Sequence, residues 1–314
     1  MYYPLKLKKF TSKNINKKYI DENLIEELMK KNIRECPYNT FPYIFGNNSK
    51  QSQKKYNSGN CVAMSINLQN MLKKHNIKSY LIPATIPKMY ASPDFLNISH
   101  VAVIIFINEK EAYIVDPAFY FLKPMKIDVN NKNIDTIKWK NVYQGIEEDL
   151  KYKLNYADEK YTYNKYQHIP KDTYSVETYE NDDDKWFYFL IEVINPDKAI
   201  SSFNLTSKKY PFLAELDNNF NLKLYIKFTD KEHIKINYND ENIYTGHVND
   251  IPDGIFNLIH TDLISMLGKN YNKFFKLPEN IDTKIYNLKD NNKSNTKKKK
   301  SIKKVRFNKT IKHI

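Results

Sequence analysis

The chain turns from a polar loop into an apolar helix at Asn57-Ser58-Gly59-Asn60-Cys61. Apolar residues then recur at the three- and four-residue spacing of one helical face, with no proline before Pro83. Asn60 and the polar residues before it are of the types that cap helix N-termini. The pattern therefore predicts a helix that contains Cys61 in its first turn.

A cysteine in the first turn of a helix has a chemical advantage. The unpaired N–H groups and the positive end of the helix dipole favour a thiolate, and they can hold the oxyanion that forms when a thiolate attacks a carbonyl. Gly59 lies two residues before Cys61, in a chain with only six glycines. Because a glycine backbone carries no Cβ, we expect Gly59 and its neighbour Asn60 to let a substrate approach closely.

Two apolar segments follow, and a polar turn separates them. Residues 100–107 and 111–116 are rich in β-branched residues, and Asn108-Glu109-Lys110 lies between them, so the pattern predicts a hairpin. His100 and Asp116 are equally distant from Asn108. A hairpin that turns at Asn108 would make them direct cross-strand partners on one face.

An aspartate in that position can accept a hydrogen bond from one imidazole nitrogen and leave the other nitrogen facing the cysteine. The order of the three residues, the helix N-terminus and the hairpin together predict a Cys-His-Asp thiol site. Its catalytic residues would be Cys61, His100 and Asp116.

These segments resemble the papain-like thiol enzymes, in their arylamine N-acetyltransferase and transglutaminase-like branches. The resemblance covers about residues 55–122. It lies in three motifs, which are Ser58-Gly59-Asn60-Cys61 at the start of a helix, Ser99-His100-Val101-Ala102-Val103, and Val115-Asp116-Pro117.

Several features are similar to the arylamine N-acetyltransferases in particular. Phe119 stands where that family's Asp-Val-Gly-Phe-Gly segment has its phenylalanine, so the resemblance implies a substrate-binding role for it. The distance between Cys61 and His100 also resembles that family, as does the stretch from Trp186 to Asn204. Two features differ from that family. Residues 57–63 correspond to its Arg-Gly-Gly-x-Cys-Phe-Glu segment but lack the arginine and the glutamate. The pair Asp116-Pro117 is typical of a transglutaminase-like domain.

The resemblance implies an α+β fold, papain-like or N-acetyltransferase-like, with N-terminal helices, a central antiparallel β-barrel or sheet, and a C-terminal α/β lid. It implies a thiol acyltransferase that moves an acyl group from an acyl-CoA co-substrate to a small-molecule amine through an acyl-cysteine. Two alternatives stay open: a transglutaminase-like or peptidase enzyme that acts on protein amides, and a catalytically inactive binding or structural protein.

The expected organisation of the chain has four parts. Residues 1–77 form a helical region with the nucleophile, 78–180 a β-rich region with the histidine and aspartate, 181–290 a C-terminal α/β region, and 291–314 a disordered basic tail. Helices are predicted at 21–34 and 255–267, and strands at 186–194, 221–228, 234–238 and 243–247.

Composition narrows the function further. Two cysteines without Cys-x-x-Cys or clustered histidines argue against zinc, and we expect no metal. The sequence has neither a run of about eighteen apolar residues nor a signal-peptide core, so we expect no transmembrane segment and a cytoplasmic or other reducing compartment. The net charge is +14, and the tail carries most of it, notably between Lys297 and Lys312. This tail could bind a polyanion such as nucleic acid or an anionic surface, and it would permit nuclear or virion association.

Overall fold

The computed structural model describes residues 12–84, 100–128, 135–141, 146–157, 173–179, 186–190, 193–207 and 211–279. The predicted basic tail, residues 291–314, lies outside the described residues, and so do residues 1–11. In the described part, no helix is both long enough and apolar enough to cross a bilayer.

Asp21, Asn48 and Asn60 each cap the N-terminus of a helix with a side-chain oxygen. The helices are α1 (Glu22–Glu35), α2 (Phe41–Ile44), α3 (Ser49–Tyr56), α4 (Cys61–Lys74), α5 (Pro196–Ser207) and α6 (Asp253–Leu267). The predicted helices at 21–34 and 255–267 are thus confirmed as α1 and α6. At the end of α6, Gly268 has a φ of 78°, a left-handed conformation that glycine adopts without strain.

Helix α1 packs on α4 through both apolar and polar side chains. Ile25, Met29 and Ile33 are fully buried on one face of α1. Next to them, the Asn32 amide nitrogen donates to the Met64 carbonyl at 3.1 Å and anchors α1 on the helix that carries Cys61. The N-terminal helix therefore packs directly on the helix that begins at Cys61.

The strands form two antiparallel sheets. They are β1 (Tyr38–Asn39), β2 (Tyr80–Ala84), β3 (His100–Phe106), β4 (Glu111–Val115), β5 (Met125–Asp128), β6 (Asp135–Asn141), β7 (Ile146–Ala157), β8 (Thr173–Tyr179), β9 (Trp186–Leu190), β10 (Phe212–Leu216), β11 (Leu222–Phe228), β12 (His233–Tyr238) and β13 (Glu241–His247). The eight-stranded sheet has the order β5-β4-β3-β2-β9-β8-β7-β6, and the five-stranded sheet has the order β1-β10-β11-β12-β13.

Most predicted strands are confirmed, and several more exist. Strands β9, β11, β12 and β13 match the predicted segments, although residues 191 and 192 lie outside the described part. Strands β6, β7 and β8 lie between residues 128 and 180, for which the sequence pattern predicts a β-rich region but no individual strand. Strands β5 and β6 lie at the two edges of the larger sheet, so this sheet is open. The sequence predicts a barrel or a sheet, and the described strands form a sheet. The predicted α+β class is confirmed.

Strand β3 lies beneath α4 and begins at the predicted site residue His100. All seven of its residues are buried, because β3 lies between β2 and β4 and is covered by α4. The Ser65 hydroxyl of α4 donates to the Val101 carbonyl of β3 at 3.1 Å. This contact fixes the helix that begins at Cys61 against the strand that begins at His100.

Candidate active site

Cys61 is the first residue of α4, as the sequence predicts. The preceding residue, Asn60, is the N-cap, and its side-chain oxygen accepts a hydrogen bond from the Ala63 N–H at 3.2 Å. Cys61 itself is buried, with 6% of its surface exposed, and both cysteines of the chain are free thiols. The Ala63 and Met64 N–H groups are bonded to Asn60, so the first-turn N–H groups that remain for a ligand are those of Cys61 and Val62.

The loop before Cys61 is held by β1. The Gly59 N–H donates to the Pro37 carbonyl at 3.2 Å, and the Asn39 N–H donates to the Gly59 carbonyl at 2.9 Å. Tyr38 and Gly59 also form an isolated parallel bridge. The loop before Cys61 is thus attached to the edge of the five-stranded sheet.

A buried hydroxyl network orients Asn60. Tyr43 donates to the Asn60 side-chain oxygen at 2.8 Å and accepts from the Asn60 N–H at 3.0 Å, and Ser49 donates to the same oxygen at 2.9 Å. Burial raises the pKa of Tyr43, so its hydroxyl keeps the proton that it donates. The Asn60 side-chain oxygen therefore serves as a cap inside the protein, and substrate binding by Asn60 stays a prediction.

Gly59 has a packing reason that the sequence does not reveal. A Cβ on Gly59 would lie 2.4 Å from the Cβ of Ala63 and 3.0 Å from the Tyr43 hydroxyl. The space beside Gly59 is therefore filled by the protein, and this close packing by itself explains the glycine. A role for Gly59 in substrate approach stays a prediction.

His100 and Asp116 are in direct contact. The His100 Nε2 atom lies 2.5 Å from the Asp116 Oδ2 atom, and both side chains are almost fully buried. Cys61 also lies close enough to His100 for its side chain to contribute to the raised pKa of the imidazole. Because Nε2 is occupied by Asp116, the ring nitrogen available to Cys61 is Nδ1. The three predicted residues therefore meet in one constellation.

The hairpin that brings His100 to Asp116 has a different register from the predicted one. Val103 pairs with Val115, and Phe106 pairs with Ala112, so the hairpin axis passes through Glu109 rather than Asn108. The expectation that His100 and Asp116 are direct cross-strand partners is therefore wrong. They lie diagonally on the same face, since a shift of two residues preserves the side-chain parity.

The cause of this register is the loop. The Ile107 N–H donates to the Glu111 carbonyl at 2.9 Å, and the Asn108 side-chain oxygen accepts from the Lys110 and Glu111 N–H groups at 2.8 and 2.9 Å. All three polar residues 108–110 are thus needed to span the turn. A hairpin centred on Asn108 would have placed Lys110 in the strand.

The charges around His100 favour its protonated form. Burial of the ring opposes protonation, but the negative charge and hydrogen bond of Asp116, with a smaller contribution from Cys61, outweigh burial and raise the pKa of His100 from 6.5 to about 10. An imidazolium therefore faces Cys61 at neutral pH.

The turn after β4 holds Asp116 and places Phe119. The second carboxylate oxygen of Asp116 accepts hydrogen bonds from the Ala118 and Phe119 N–H groups, each at 3.1 Å. The half-buried Phe119 ring meets the His100 ring edge-on at a centroid distance of 4.5 Å. Phe119 therefore borders the histidine, which is consistent with the predicted contact to substrate but does not test it.

Sequence reasoning missed Tyr43 and Ser49, which orient the N-cap. The only signal was Asn60 itself, since a buried cap side chain needs partners for its remaining hydrogen-bonding capacity. The described His, Cys, Asp and Glu side chains form no metal site that would compete with this one. In the ranges that the structure describes, no three His, Cys, Asp or Glu side chains converge in a way that could hold a metal ion.

Comparison with known proteins identifies the fold. No protein-family model and no curated protein matches the sequence. Among solved structures, an arylamine N-acetyltransferase from Mycobacterium abscessus matches 81% of this chain and 87% of its own, with a TM-score of 0.54 and 9% identity. One from Bacillus cereus, which has a Cys-His-Glu catalytic triad, matches 78% of this chain and 92% of its own, with a TM-score of 0.52 and 15% identity.

A third such structure is that of the Mycobacterium marinum enzyme in complex with CoA. It matches 82% of this chain and 93% of its own, with a TM-score of 0.50 and 9% identity. The chain therefore has the arylamine N-acetyltransferase fold that the motifs predict, and at these identities the likeness concerns the fold.

Proposed function

We propose that the protein is a thiol acyltransferase that moves an acyl group from an acyl-CoA thioester to a small-molecule amine. The observation that carries this proposal is the contact of His100 with both Cys61 and Asp116, at the N-terminus of a helix. The fold supports it, because a protein of the same fold has been solved in complex with CoA. Cys61, His100 and Asp116 would be the catalytic residues.

The first half-reaction would acylate Cys61. The Cys61 thiolate attacks the carbonyl carbon of the thioester, and the electron pair of the C=O bond moves to the oxygen. The N–H groups of Cys61 and Val62 point out of the first helical turn and would stabilise this oxyanion. When the carbonyl reforms, the bond to the CoA sulfur breaks and the leaving thiolate takes the proton from His100.

The second half-reaction would transfer the acyl group. An amine nitrogen attacks the acyl-cysteine carbonyl, and the now neutral His100 accepts the proton that the nitrogen loses. The bond to the Cys61 sulfur breaks, and the thiolate and imidazolium are restored. Asp116 acts through His100, since it holds Nε2 and leaves Nδ1 to move the proton.

Phe119 would border the acyl group or the amine. Its ring lies beside His100 and is half-buried, so one part of it stays accessible next to the reacting atoms. Gly59 and Asn60 complete the predicted substrate-binding residues, but their described contacts are with the protein itself. We therefore assign the greater share of substrate contact to Phe119.

The acyl-cysteine is the species to detect. Acetyl-CoA or a longer acyl-CoA, incubated with the protein, should add one acyl mass to the peptide that contains Cys61, and an aromatic amine should discharge it. Intact-protein and peptide mass spectrometry measure both steps. The Cys61→Ala variant should lose the adduct, whereas Cys36→Ala, which removes the other buried thiol, should keep it.

Two results would redirect the assignment. If no acyl-CoA gave an adduct while a glutamine or peptide amide was turned over, the transglutaminase-like alternative would replace the acyltransferase. Inertness toward both classes would leave a binding or structural protein. Polyanion binding by the segment from Lys297 to Lys312 stays a separate prediction, because that segment lies outside the described residues.

A further inference from the structure

Tyr120 has an unusual backbone for a large side chain. Its φ is 56°, in the left-handed region where a Cβ crowds the backbone and glycine is preferred. The residue closes the turn after Asp116, because its N–H donates to the Pro117 carbonyl at 3.3 Å. A bulky residue that holds this conformation points to a role for its side chain that offsets the strain.

The side chain of Tyr120 reaches the second sheet. It is 1% exposed, and its hydroxyl donates to the Ala214 carbonyl of β10 at 3.3 Å. Tyr120 thus ties the turn that follows β4, in the eight-stranded sheet, to a strand of the five-stranded sheet.

Strand β10 also supports the loop before Cys61. Ala214 pairs with Tyr38 of β1, and Tyr38 in turn bridges to Gly59, two residues before Cys61. The turn that holds Asp116 and the loop that precedes Cys61 are therefore attached to the same β10 residue, one through Tyr120 and the other through β1.

We propose that Tyr120 is a positioning residue that sets the placement of His100 and Asp116 relative to Cys61. The turn it closes provides the two N–H groups that bind the Asp116 carboxylate and the ring of Phe119 that contacts His100. Without the bond to Ala214, this turn loses a hydrogen bond to the sheet that supports the cysteine loop. The separation of Cys61 from His100 then varies, and the thiolate-imidazolium pair forms in a smaller fraction of molecules.

This inference deepens the proposed function and rests on it, but thiol reactivity tests it without any acyl donor. Tyr120→Phe removes the hydroxyl and keeps the ring. We expect its Cys61 to react with iodoacetamide at pH 6 about tenfold more slowly than in the wild type, with the pH profile of the reaction moved toward that of an ordinary thiol.

Tyr113→Phe is the matched control. Tyr113 lies in β4, the strand that leads to Asp116, and its hydroxyl donates to the Glu22 side chain of α1 at 2.8 Å rather than to β10. It should keep the wild-type pH profile, although it also loses one hydroxyl hydrogen bond. Urea unfolding of both variants separates a loss of stability from a loss of positioning.

Two results would overturn the inference. One is a Tyr120→Phe protein with the wild-type alkylation profile, and the other is an equal slowing in Tyr113→Phe. If the wild type shows the fast, Tyr120-dependent alkylation but forms no acyl adduct with any acyl-CoA, the positioning role stands and the proposed acyl transfer fails. The two proposals can therefore be lost separately.

Discussion

The two cysteines of the chain lie at opposite kinds of helix end. Cys36 is the C-cap of α1, where its N–H donates to the Asn32 carbonyl, whereas Cys61 is the first residue of α4. Both are buried, at 0% and 6% exposure, and the two helices pack on each other. Burial therefore does not distinguish the two thiols, and the electrostatic surroundings do.

At the end of α1, unpaired carbonyl oxygens and the negative end of the dipole disfavour a thiolate. Burial raises the pKa of Cys36 to about 12, so this thiol stays protonated and behaves as a small apolar residue. At the start of α4, Cys61 lies instead among the first-turn N–H groups and beside the ring of His100. The two buried cysteines therefore differ in the helix end at which they lie and in the ring beside Cys61, and the nucleophilic role of Cys61 stays a proposal.

Asp116→Asn should have the largest effect, because the Asp116 carboxylate sets the proton position and the orientation of the His100 ring beside Cys61. The amide oxygen can still accept the two backbone N–H bonds, but the amide nitrogen then donates to His100 Nε2 and places the ring proton on Nδ1. The ring can no longer accept a proton from the site. We expect turnover of acyl-CoA and amine to fall by about 10⁴, as in the serine-protease precedent.

A matched control for this variant is Asp217→Asn. Asp217 also binds two backbone N–H groups with one oxygen, but it lies in an exposed turn. Steady-state kinetics and circular dichroism should show a wild-type rate for Asp217→Asn and a native fold for both. Nearly full activity in Asp116→Asn would mean that Asp116 only ends a strand.

The second effect is the difference in thiol reactivity itself. An unperturbed thiol with a pKa of about 8.5 is less than about 1% thiolate at pH 6, and Cys36 falls far below that. We expect iodoacetamide to label Cys61 at least about 100-fold faster than Cys36 in the native protein. Peptide mass spectrometry gives both rates, and urea-unfolded protein, in which the two should react alike, is the control.

The third and smallest effect is a pH dependence of stability, which differs between the surroundings of Cys61 and those of Cys36. The folded-state pKa of His100 is raised from 6.5 to about 10, so its contribution to stability is complete below pH 6.5 and is lost as the pH rises toward 10. The contribution of Cys36 is lost in the same direction, but only from about pH 9.0 toward 12. Between pH 6.5 and 9 the decline should therefore come from His100, at no more than about 1.4 kcal/mol per pH unit.

Urea midpoints measured across this range check the assignment. Asp116→Asn should flatten the slope between pH 6.5 and 9, because the charge that holds the proton on His100 is gone. Cys36→Ala should leave that slope intact. An unchanged slope in Asp116→Asn would show that the histidine titrates independently of its carboxylate.

The sequence predicts the parts of this site that depend on local patterns. The cap at Asn60, the start of α4 at Cys61 and the alternation of β3 and β4 each follow from residues within a few positions, and so does the shared face of His100 and Asp116. The register was wrong by two residues because it depends on how the Asn108 side chain bonds the loop, a detail that apolar alternation does not contain.

The rest of the site depends on contacts between residues that are distant in sequence. Tyr43 lies 17 residues before the Asn60 that it orients, and Tyr120 lies 94 residues before the Ala214 carbonyl that it binds. The sequence around Tyr43 and around Tyr120 does not distinguish either residue from an ordinary core tyrosine. Such partners become visible only in the assembled structure.

The close packing of Gly59 on Ala63 restricts how this part of the chain can evolve. A methyl group added at Gly59 would overlap the Ala63 methyl, at 2.4 Å, while the polar cap around Asn60 leaves that turn of α4 little room to retreat. Substitution at position 59 is therefore contingent on a smaller residue at position 63. A lineage could acquire alanine at the first position only together with glycine at the second, so we expect the two sites to change as a pair.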